Sequence, residues 1–264
     1  MTRVGRLTLC ALVLFGATAL SSETGDSSFP PALSINPFAG SDPYQDCINA
    51  IAKKADDAFE MAMAWRDHGG GIPAERCAAL ALISLDEPGE AASRLGALAE
   101  RKDAGTAGLR SSLLGQAGNA WLLASQPENA EEAFSAALKL TSQDPELWVD
   151  RARARAARAD WANAESDLTV ALGLDKTKPE TFVLRASARN AQGNKAGYKS
   201  DIDSALGINP NFPDALVERG AIKAAAGDPA GARADWLQVL VDAPDSPAAD
   251  AVRTQIEALE VHDR

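Results

Sequence analysis

The sequence repeats itself at an interval of 34 residues along the stretch from Pro145 to Pro244. Blocks that begin at Pro145, Pro179 and Pro213 carry the same kinds of residue at the same places. Counted from each proline, the shared residues are an aromatic residue or leucine at place 4, arginine and a small residue at places 7 and 8, a base at place 11, aspartate at place 23 and an apolar pair at places 27 and 28. Repetition at this interval is typical of helix-turn-helix units that stack around one continuous core. It predicts one elongated all-α body.

A further copy of the pattern runs from Ser111 to Asp144. Its matching residues are Gly118, Trp121, Ala130, Phe134 and Ala137. Together with the three strict blocks, it resembles the tetratricopeptide repeat family, in which a glycine and an aromatic residue precede an alanine that has a phenylalanine four residues later. The resemblance implies a right-handed α-solenoid with four tetratricopeptide repeats over residues 111–246. A capping helix and tail over residues 247–264 are expected to close the array with a solvated face.

One block departs from the pattern at place 20. Ala130, Ala164 and Ala232 stand there in the other blocks, where the two helices of a hairpin are expected to cross closely. Tyr198 occupies this place in the block that begins at Pro179. Because tyrosine is much larger than alanine, we expect either a wider hairpin or a shifted helix at that point.

Residues 1–21 have the pattern of a secretory signal peptide. Two arginines come first, an apolar run of 14 residues follows from Leu7 to Leu20, and Ala17 to Ala19 offer a small-x-small cleavage site. The alternative is an uncleaved anchor, but a spanning helix needs about 20 apolar residues. We therefore expect an exported protein without stable membrane insertion after cleavage, located in the periplasm of a bacterial envelope, with full secretion as the other destination.

Residues 22–110 are expected to contain a linker followed by divergent hairpins. Residues 22–42 are rich in serine, proline and glycine and predict a disordered linker, in which Phe29 and Phe38 are either docking residues or part of a spacer. Residues 43–110 predict N-terminal divergent helical hairpins, with a run of three glycines ending a helix at Gly69. The stretch 101–110 exceeds the period, which predicts a longer loop or an extra helical turn.

Two cysteines remain once the signal peptide is removed. Cys47 and Cys77 are an even pair in a protein expected to reach an oxidising compartment, where such pairs are usually joined. The family resemblance places both midway along the first helices of adjacent hairpins. A disulfide between them is expected, and two buried free thiols are the alternative.

Arginine at place 7 and aspartate at place 23 occur together in three blocks and are both replaced by alanine in a fourth. The matched residues are Arg151 with Asp167, Arg185 with Asp201, and Arg219 with Asp235, against Ala117 and Ala133 in the block that begins at Ser111. This joint presence predicts structural ion pairs, within a hairpin or to the next one. The alternative is a stripe of arginines for an anionic ligand.

The resemblance also implies a concave groove that is lined by the first helix of each hairpin and binds ligands. Mapped onto this sequence, its residues are mostly small and mildly apolar, with an acidic edge, and the lysine and asparagine pattern by which some relatives hold a terminal carboxylate is missing. Asn119, Arg153 and Asn190 are the best candidates for partner contacts. Solvated polar side chains without a binding role are the alternative.

Composition and motifs argue against several functional classes. The formal charge of −11, which becomes −13 without residues 1–21, disfavours a nucleic-acid partner, because phosphate binding draws on clustered bases. The two histidines, His68 and His262, lack the spaced partners of a metal site. No catalytic motif occurs. The sequence thus predicts no enzyme activity, no catalytic residue, no metal and no cofactor.

The functional expectation is an exported, non-enzymatic adaptor that binds a protein or an extended peptide in the groove of its repeat array. Two alternatives remain open. One is a scaffold that associates with itself as a homo-oligomer, and the other is an accessory subunit that holds an envelope enzyme.

Overall fold

The computed structural model describes residues 42–262, and every regular element in this range is a helix. Consecutive helices pair into antiparallel hairpins from α1/α2 to α11/α12, and α13 packs against the last pair. The helices are α1 (Pro43–Ile51), α2 (Ala55–Trp65), α3 (Gly71–Ser84), α4 (Pro88–Glu100), α5 (Ala107–Leu123), α6 (Pro127–Leu140), α7 (Pro145–Ala157), α8 (Trp161–Leu174), α9 (Pro179–Ala191), α10 (Lys195–Ile208), α11 (Pro213–Ala225), α12 (Pro229–Asp242) and α13 (Pro247–His262). The all-α prediction is confirmed.

The predicted signal peptide of residues 1–21 lies outside the described residues, as does the predicted linker of residues 22–42 apart from Asp42. Asp42 itself caps α1 by accepting hydrogen bonds from the backbone N–H groups of Tyr44 and Gln45. Within residues 42–262, none of the helices has both the length and the apolar character required to cross a bilayer.

The first helices of the strict blocks begin at the prolines that start those blocks. Pro145, Pro179 and Pro213 each stand in the first turn of their helix. Proline suits this position because a helix leaves its first N–H groups without an intrahelical partner. The 34-residue interval is therefore the distance between successive helix starts.

The same turn joins the two helices in five of the hairpins. Its residue at place 15 has a positive φ, and the next residue donates its N–H to the carbonyl five residues earlier, as Asp160 does to Arg155 at 2.9 Å. This is the Schellman arrangement, which normally requires glycine. The place-15 residues are Asp86 (φ 64°), Ser125 (57°), Ala159 (58°), Gly193 (78°) and Gly227 (81°).

Replacement of Ala159 by glycine is expected to stabilise the protein, because alanine in the left-handed region costs about 1 kcal/mol. The gain should be about 0.5 kcal/mol once the greater freedom of glycine in the unfolded chain is counted. The matched change, Gly193→Ala, should destabilise by about 1 kcal/mol. Urea denaturation of both variants measures the change in the free energy of unfolding. A loss of stability in Ala159→Gly, or a gain in Gly193→Ala, would contradict the turn assignment.

Side-chain sizes across each hairpin are complementary between places 8 and 24. Gly118 faces Phe134 and Gly220 faces Trp236, so closely that a Cβ atom on either glycine would lie within 2.6 Å and 2.2 Å of the aromatic ring, respectively. Where place 8 is alanine, place 24 is aliphatic: Ala152 with Leu168 and Ala186 with Ile202. The hairpins therefore keep one backbone spacing while their core residues change.

The wider hairpin or shifted helix expected at Tyr198 is wrong. Arg185 and Asp201 join α9 to α10 at 3.0 and 2.8 Å, while the equivalent pair in α7/α8 lies at 2.9 and 2.8 Å, so the two hairpins have matching separation and register. Tyr198 instead reaches the next hairpin, where its hydroxyl donates to the carboxylate of Glu218. Burial, and then this hydrogen bond, raise the pKa of Tyr198 above its usual value.

The N-terminal hairpins carry a close cysteine pair and meet the rest of the array through a longer connection. The sulfur atoms of Cys47 in α1 and Cys77 in α3 lie within bonding distance, with Cα atoms 6.3 Å apart. Both of the alternatives considered for residues 101–110 occur. Residues 101–106 form a loop, and α5 starts at Ala107, about one turn before Ser111, where the repeats were expected to begin.

Candidate functional site

Three ion pairs recur in the last three hairpins, each between the first and second helix of one hairpin. The arginine donates from Nε and Nη2 to the two carboxylate oxygens of the aspartate, over 2.8 to 3.0 Å. The aspartates are buried, with 2 to 6% of their surface exposed. The pairs are Arg151 with Asp167, Arg185 with Asp201, and Arg219 with Asp235.

A second base at place 11 extends two of these pairs to the preceding hairpin. Arg155 donates to Asp167 at 2.8 Å and to Glu131 of α6 at 3.0 Å. Arg189 repeats the arrangement, with Asp201 at 2.9 Å and Glu165 of α8 at 2.8 Å. These two arginines therefore connect adjacent hairpins.

Sequence reasoning missed Glu131 and Glu165, although the signal was available. Both stand at place 21 and so recur at the 34-residue interval. Lys199 occupies that place in the next block and pairs with Asp203 on its own helix. Lys223 accordingly contacts Asp235 at 2.7 Å, without an acid from α10.

Two of the three place-7 arginines are also covered by aromatic rings. The guanidinium carbon of Arg151 lies 4.8 Å from the ring centroid of Trp148, and that of Arg185 lies 5.8 Å from the ring centroid of Phe182. Stacking of this kind stabilises the cation where it lies. The guanidinium groups of these arginines are also hydrogen-bonded to aspartates. They therefore stabilise the hairpin and are not available to bind an anionic ligand.

Two acids of this network have lowered pKa values. Hydrogen bonding from Arg189 is the main reason that the pKa of Glu165 lies below its usual value. Burial would raise the pKa of Asp235, but hydrogen bonds from Arg219 and Lys223 outweigh it and hold the pKa below the usual range. Both groups therefore favour the folded state in their ionised form.

Acidification is expected to destabilise the protein through these two carboxylates. A carboxylate with a lower pKa in the folded state contributes its full stabilisation above its unfolded pKa and loses it as the pH falls through the folded value. The free energy of unfolding should therefore begin to fall near pH 5 and decline further towards pH 3. Urea denaturation across this range measures the decline, which should be shallower for Glu165→Gln. An identical slope in that variant would contradict the assignment.

Asn119 and Arg153, two of the predicted partner contacts, meet at a third residue. Asn119 donates to Asp150 at 3.3 Å, and Arg153 donates to the other oxygen of the same carboxylate at 2.7 Å. Asp150 was not predicted from the sequence, because its place 6 varies between blocks. Both Asn119 and Arg153 remain exposed, so each has surface available to a partner.

Asn190 lies apart from the other two candidates. Its side-chain oxygen accepts a hydrogen bond from Lys195 at the start of α10. It borders a hollow of about 560 Å³ with an apolar floor that includes Ile222 and Ala225, and with Lys195 and Lys199 beside it. Asn190 is therefore not brought into one site with Asn119.

Asn119 borders a separate hollow of about 540 Å³ between α5 and α7. Neutral polar groups, including Ser112 and Gln116, line it together with Asp144 and Asp150. Arg153 lies between the two large hollows, beside a small apolar recess of about 70 Å³. The three candidates thus mark three successive depressions along α5 to α11.

Residues 42–262 contain no set of metal ligands. No three His, Cys, Asp or Glu side chains in this range are grouped to hold a metal ion. His68 stands in the kinked turn Arg66–Gly70 between α2 and α3, where its Nδ1 donates to the carbonyl of Ala64 at 2.7 Å. This contact serves the helix end.

Solved structures with the same architecture are readily found, although sequence comparison finds no matching protein-family model and no matching curated protein. PilF of Pseudomonas aeruginosa aligns with a TM-score of 0.61 at 16% identity, over 81% of this chain and 96% of PilF. YrrB, described as a TPR protein with an unusual peptide-binding site, aligns with a TM-score of 0.53 at 16% identity, over 80% of this chain and 98% of YrrB. MamA aligns with a TM-score of 0.53 at 14% identity, over 60% of this chain and 90% of MamA. At these identities the likeness concerns the fold, and it identifies the chain as a tetratricopeptide-type α-solenoid.

Proposed function

We propose that this protein is an exported, non-enzymatic adaptor that binds an extended segment of a partner protein across α5, α7, α9 and α11. The observation that carries the proposal is the row of depressions marked by Asn119, Arg153 and Asn190. Their spacing along successive first helices suits a chain that lies across the array. A preformed surface of this kind limits the ordering that binding requires.

The two large hollows differ in charge, which suggests the chemistry of the partner. The hollow beside Asn119 carries Asp144 and Asp150, whereas the hollow beside Asn190 carries Lys195 and Lys199 over an apolar floor. A complementary segment has a basic or amide-rich part at the first hollow and an apolar residue next to an acid at the other. The likeness to YrrB, a TPR protein with a peptide-binding site, supports a peptide-binding role at the level of the fold.

Photo-crosslinking from the proposed surface tests this function in cells that produce the full chain. A photoreactive residue at exposed Ser187, between Arg153 and Asn190, is expected to capture one defined polypeptide. The triple variant Asn119→Ala, Arg153→Ala, Asn190→Ala should reduce the yield about tenfold, because polar contacts in all three depressions are lost. The same photoreactive residue at exposed Gln238 on α12 is the control. An unchanged yield from the triple variant, or an equal yield from Gln238, would count against the proposal.

Export is part of the same proposal and has its own test. Mass spectrometry of the protein from the cell envelope should find a chain without residues 1–21. Under non-reducing conditions, the peptides that contain Cys47 and Cys77 should appear as one linked species. Separate thiol peptides, or an intact N-terminus in the cytoplasm, would contradict export into an oxidising compartment.

Self-association is the second candidate, and one observation favours it. Leu237 and Val241 lie four residues apart on α12 and are 48% and 74% exposed. Adjacent exposed apolar side chains are typical of contact surfaces. Light scattering of the purified protein decides between the candidates: a dimer that becomes monomeric in Val241→Lys supports the scaffold, whereas a strict monomer excludes it.

A further inference from the structure

A hollow of about 230 Å³ opens between α2, α3 and α4, away from the surface proposed for the partner segment. Met63, Ala78 and Leu98 contribute to its apolar lining. Arg66, Arg94 and Arg101 border the same hollow, together with Glu75 as the one acid in its lining. A protein with a formal charge of −11 thus carries here a concave site whose own lining is basic.

The hollow occupies the position that the arginine–aspartate pair takes in later hairpins. The left-handed Asp86 at place 15 sets the register of α3/α4 and puts Ala78 at place 7 and Arg94 at place 23. Where the later pairs have an arginine, this hairpin has Ala78, and where they have an aspartate, it has Arg94. An open space remains where the last three hairpins hold a closed ion pair.

Arg94 is only partly engaged in this arrangement. Its Nε donates to Glu90 on the same helix at 2.7 Å, and its guanidinium lies 5.6 Å from the ring centroid of Phe59. Among the described residues, neither of its Nη groups has a hydrogen-bond partner. Two N–H groups of a ring-stacked guanidinium can therefore donate to a carboxylate, the anion that its planar geometry fits best.

Arg66 and Arg94 are each paired with an exposed acid, whereas Arg101 is held both by an exposed acid and, at 2.5 Å, by Glu75 in the lining of the hollow. Asp67, Glu90 and Asp103 are exposed by 63%, 52% and 62% and do not line the hollow. Exposed ion pairs contribute little to stability, so a ligand carboxylate can replace Asp67 or Glu90 at little cost.

We propose that this hollow binds a carboxylate next to a large apolar side chain, as part of a peptide partner. Its volume lies below the range of about 300 to 1,000 Å³ that is typical of sites for whole small molecules, so it suits one side chain. The apolar lining receives that side chain, and Arg94, supported by Arg66 and Arg101, receives the carboxylate. The carboxylate belongs either to a C-terminal residue or to an acidic residue beside an apolar one.

Methyl NMR of the full protein, titrated with small probes, tests the site directly. N-acetyl-leucine should cause saturable shifts of the Met63, Ala78 and Leu98 methyl signals. N-acetyl-leucinamide, which lacks the carboxylate, and N-acetyl-alanine, which lacks the large side chain, should each bind about tenfold more weakly. N-acetyl-leucyl-glutamic acid α-amide carries only a side-chain carboxylate. Equal binding of this probe supports an internal acidic motif, and weaker binding supports a chain terminus.

Variants distinguish the site from general attraction of anions. Arg94→Gln, and separately Ala97→Glu at the exposed rim, should each weaken N-acetyl-leucine about tenfold, with methyl signals elsewhere unchanged. Arg253→Gln removes an exposed, acid-paired arginine on α13 and should have no effect. The absence of saturable shifts, equal binding of the amide, or unchanged binding by both hollow variants would overturn the proposal. None of these residues borders the hollows beside Asn119 and Asn190, so the result is independent of the function proposed for that surface.

Discussion

Replacement of Asp201 by alanine is expected to lower the free energy of unfolding by about 3 to 5 kcal/mol, because it breaks a buried ion pair from one side. Asp201 is 2% exposed and accepts hydrogen bonds from Arg185 and Arg189. Both arginines have side chains that are less than one-fifth exposed. Without the carboxylate, two charges stay in a partly buried place, and Arg189 keeps Glu165 as its acidic partner.

Chemical denaturation of the single and double variants measures this effect. In a double-mutant cycle, Arg185→Ala and Asp201→Ala should couple by about 1 to 3 kcal/mol, because each removes the partner of the other. The same cycle on Arg219 and Asp235 is the internal comparison. Its coupling should be smaller, because the Arg219 side chain is 36% exposed and water screens the pair. Purely additive losses at Arg185 and Asp201 would show that the two residues do not stabilise the fold as a pair.

Replacement of Gly220 by alanine is expected to destabilise the protein by about 3 kcal/mol, through overpacking. A Cβ atom at this position would lie 2.2 Å from Nε1 of Trp236, a side chain that is 1% exposed. The indole cannot withdraw freely, because its Nε1 donates to the carbonyl of Val217 at 3.1 Å. Displacement of the ring therefore loses a hydrogen bond as well as packing.

The preceding hairpins suggest the compensating change. Ala152 and Leu168 occupy the equivalent places in α7/α8 and belong to one core cluster, so Trp236→Leu in the Gly220→Ala background should restore part of the lost stability. The double variant should be at least about 1 kcal/mol more stable than the sum of the single effects predicts. Gly173→Ala is the control, since nothing lies within 4 Å of the added atom, and it should stabilise its helix by about 0.5 kcal/mol. Wild-type stability in Gly220→Ala would contradict the close approach.

Much of the fold could be predicted because its information is local and repeated. The helix starts at Pro145, Pro179 and Pro213 follow from the chemistry of the first turn. Ion pairing between the place-7 arginines and the place-23 aspartates could be inferred because the two residues are present together or absent together in each block. Because these local preferences recur every 34 residues, they predict the whole array.

The candidate site could be predicted only in part. Asn119 and Arg153 were chosen from the family pattern, but their meeting at Asp150 depends on how α5 and α7 lie against each other. The hydrogen bond from Tyr198 to Glu218 could not be predicted from the residue type at place 20 alone. A large side chain at this place can either widen its own hairpin or extend to the next one.

The sequence by itself determined the helices, their turns, the interval between them and the two places, 7 and 23, whose residues form ion pairs. The structure decided that each of these pairs closes within one hairpin. Tertiary structure alone decided what happens between hairpins: the contacts of Arg155 and Arg189 with the preceding glutamates, and the basic hollow around Arg94. The physical reason is that contacts within a hairpin are set by a fixed number of residues and one turn geometry. Contacts between hairpins depend on stacking, in which the sizes and charges of several side chains act together.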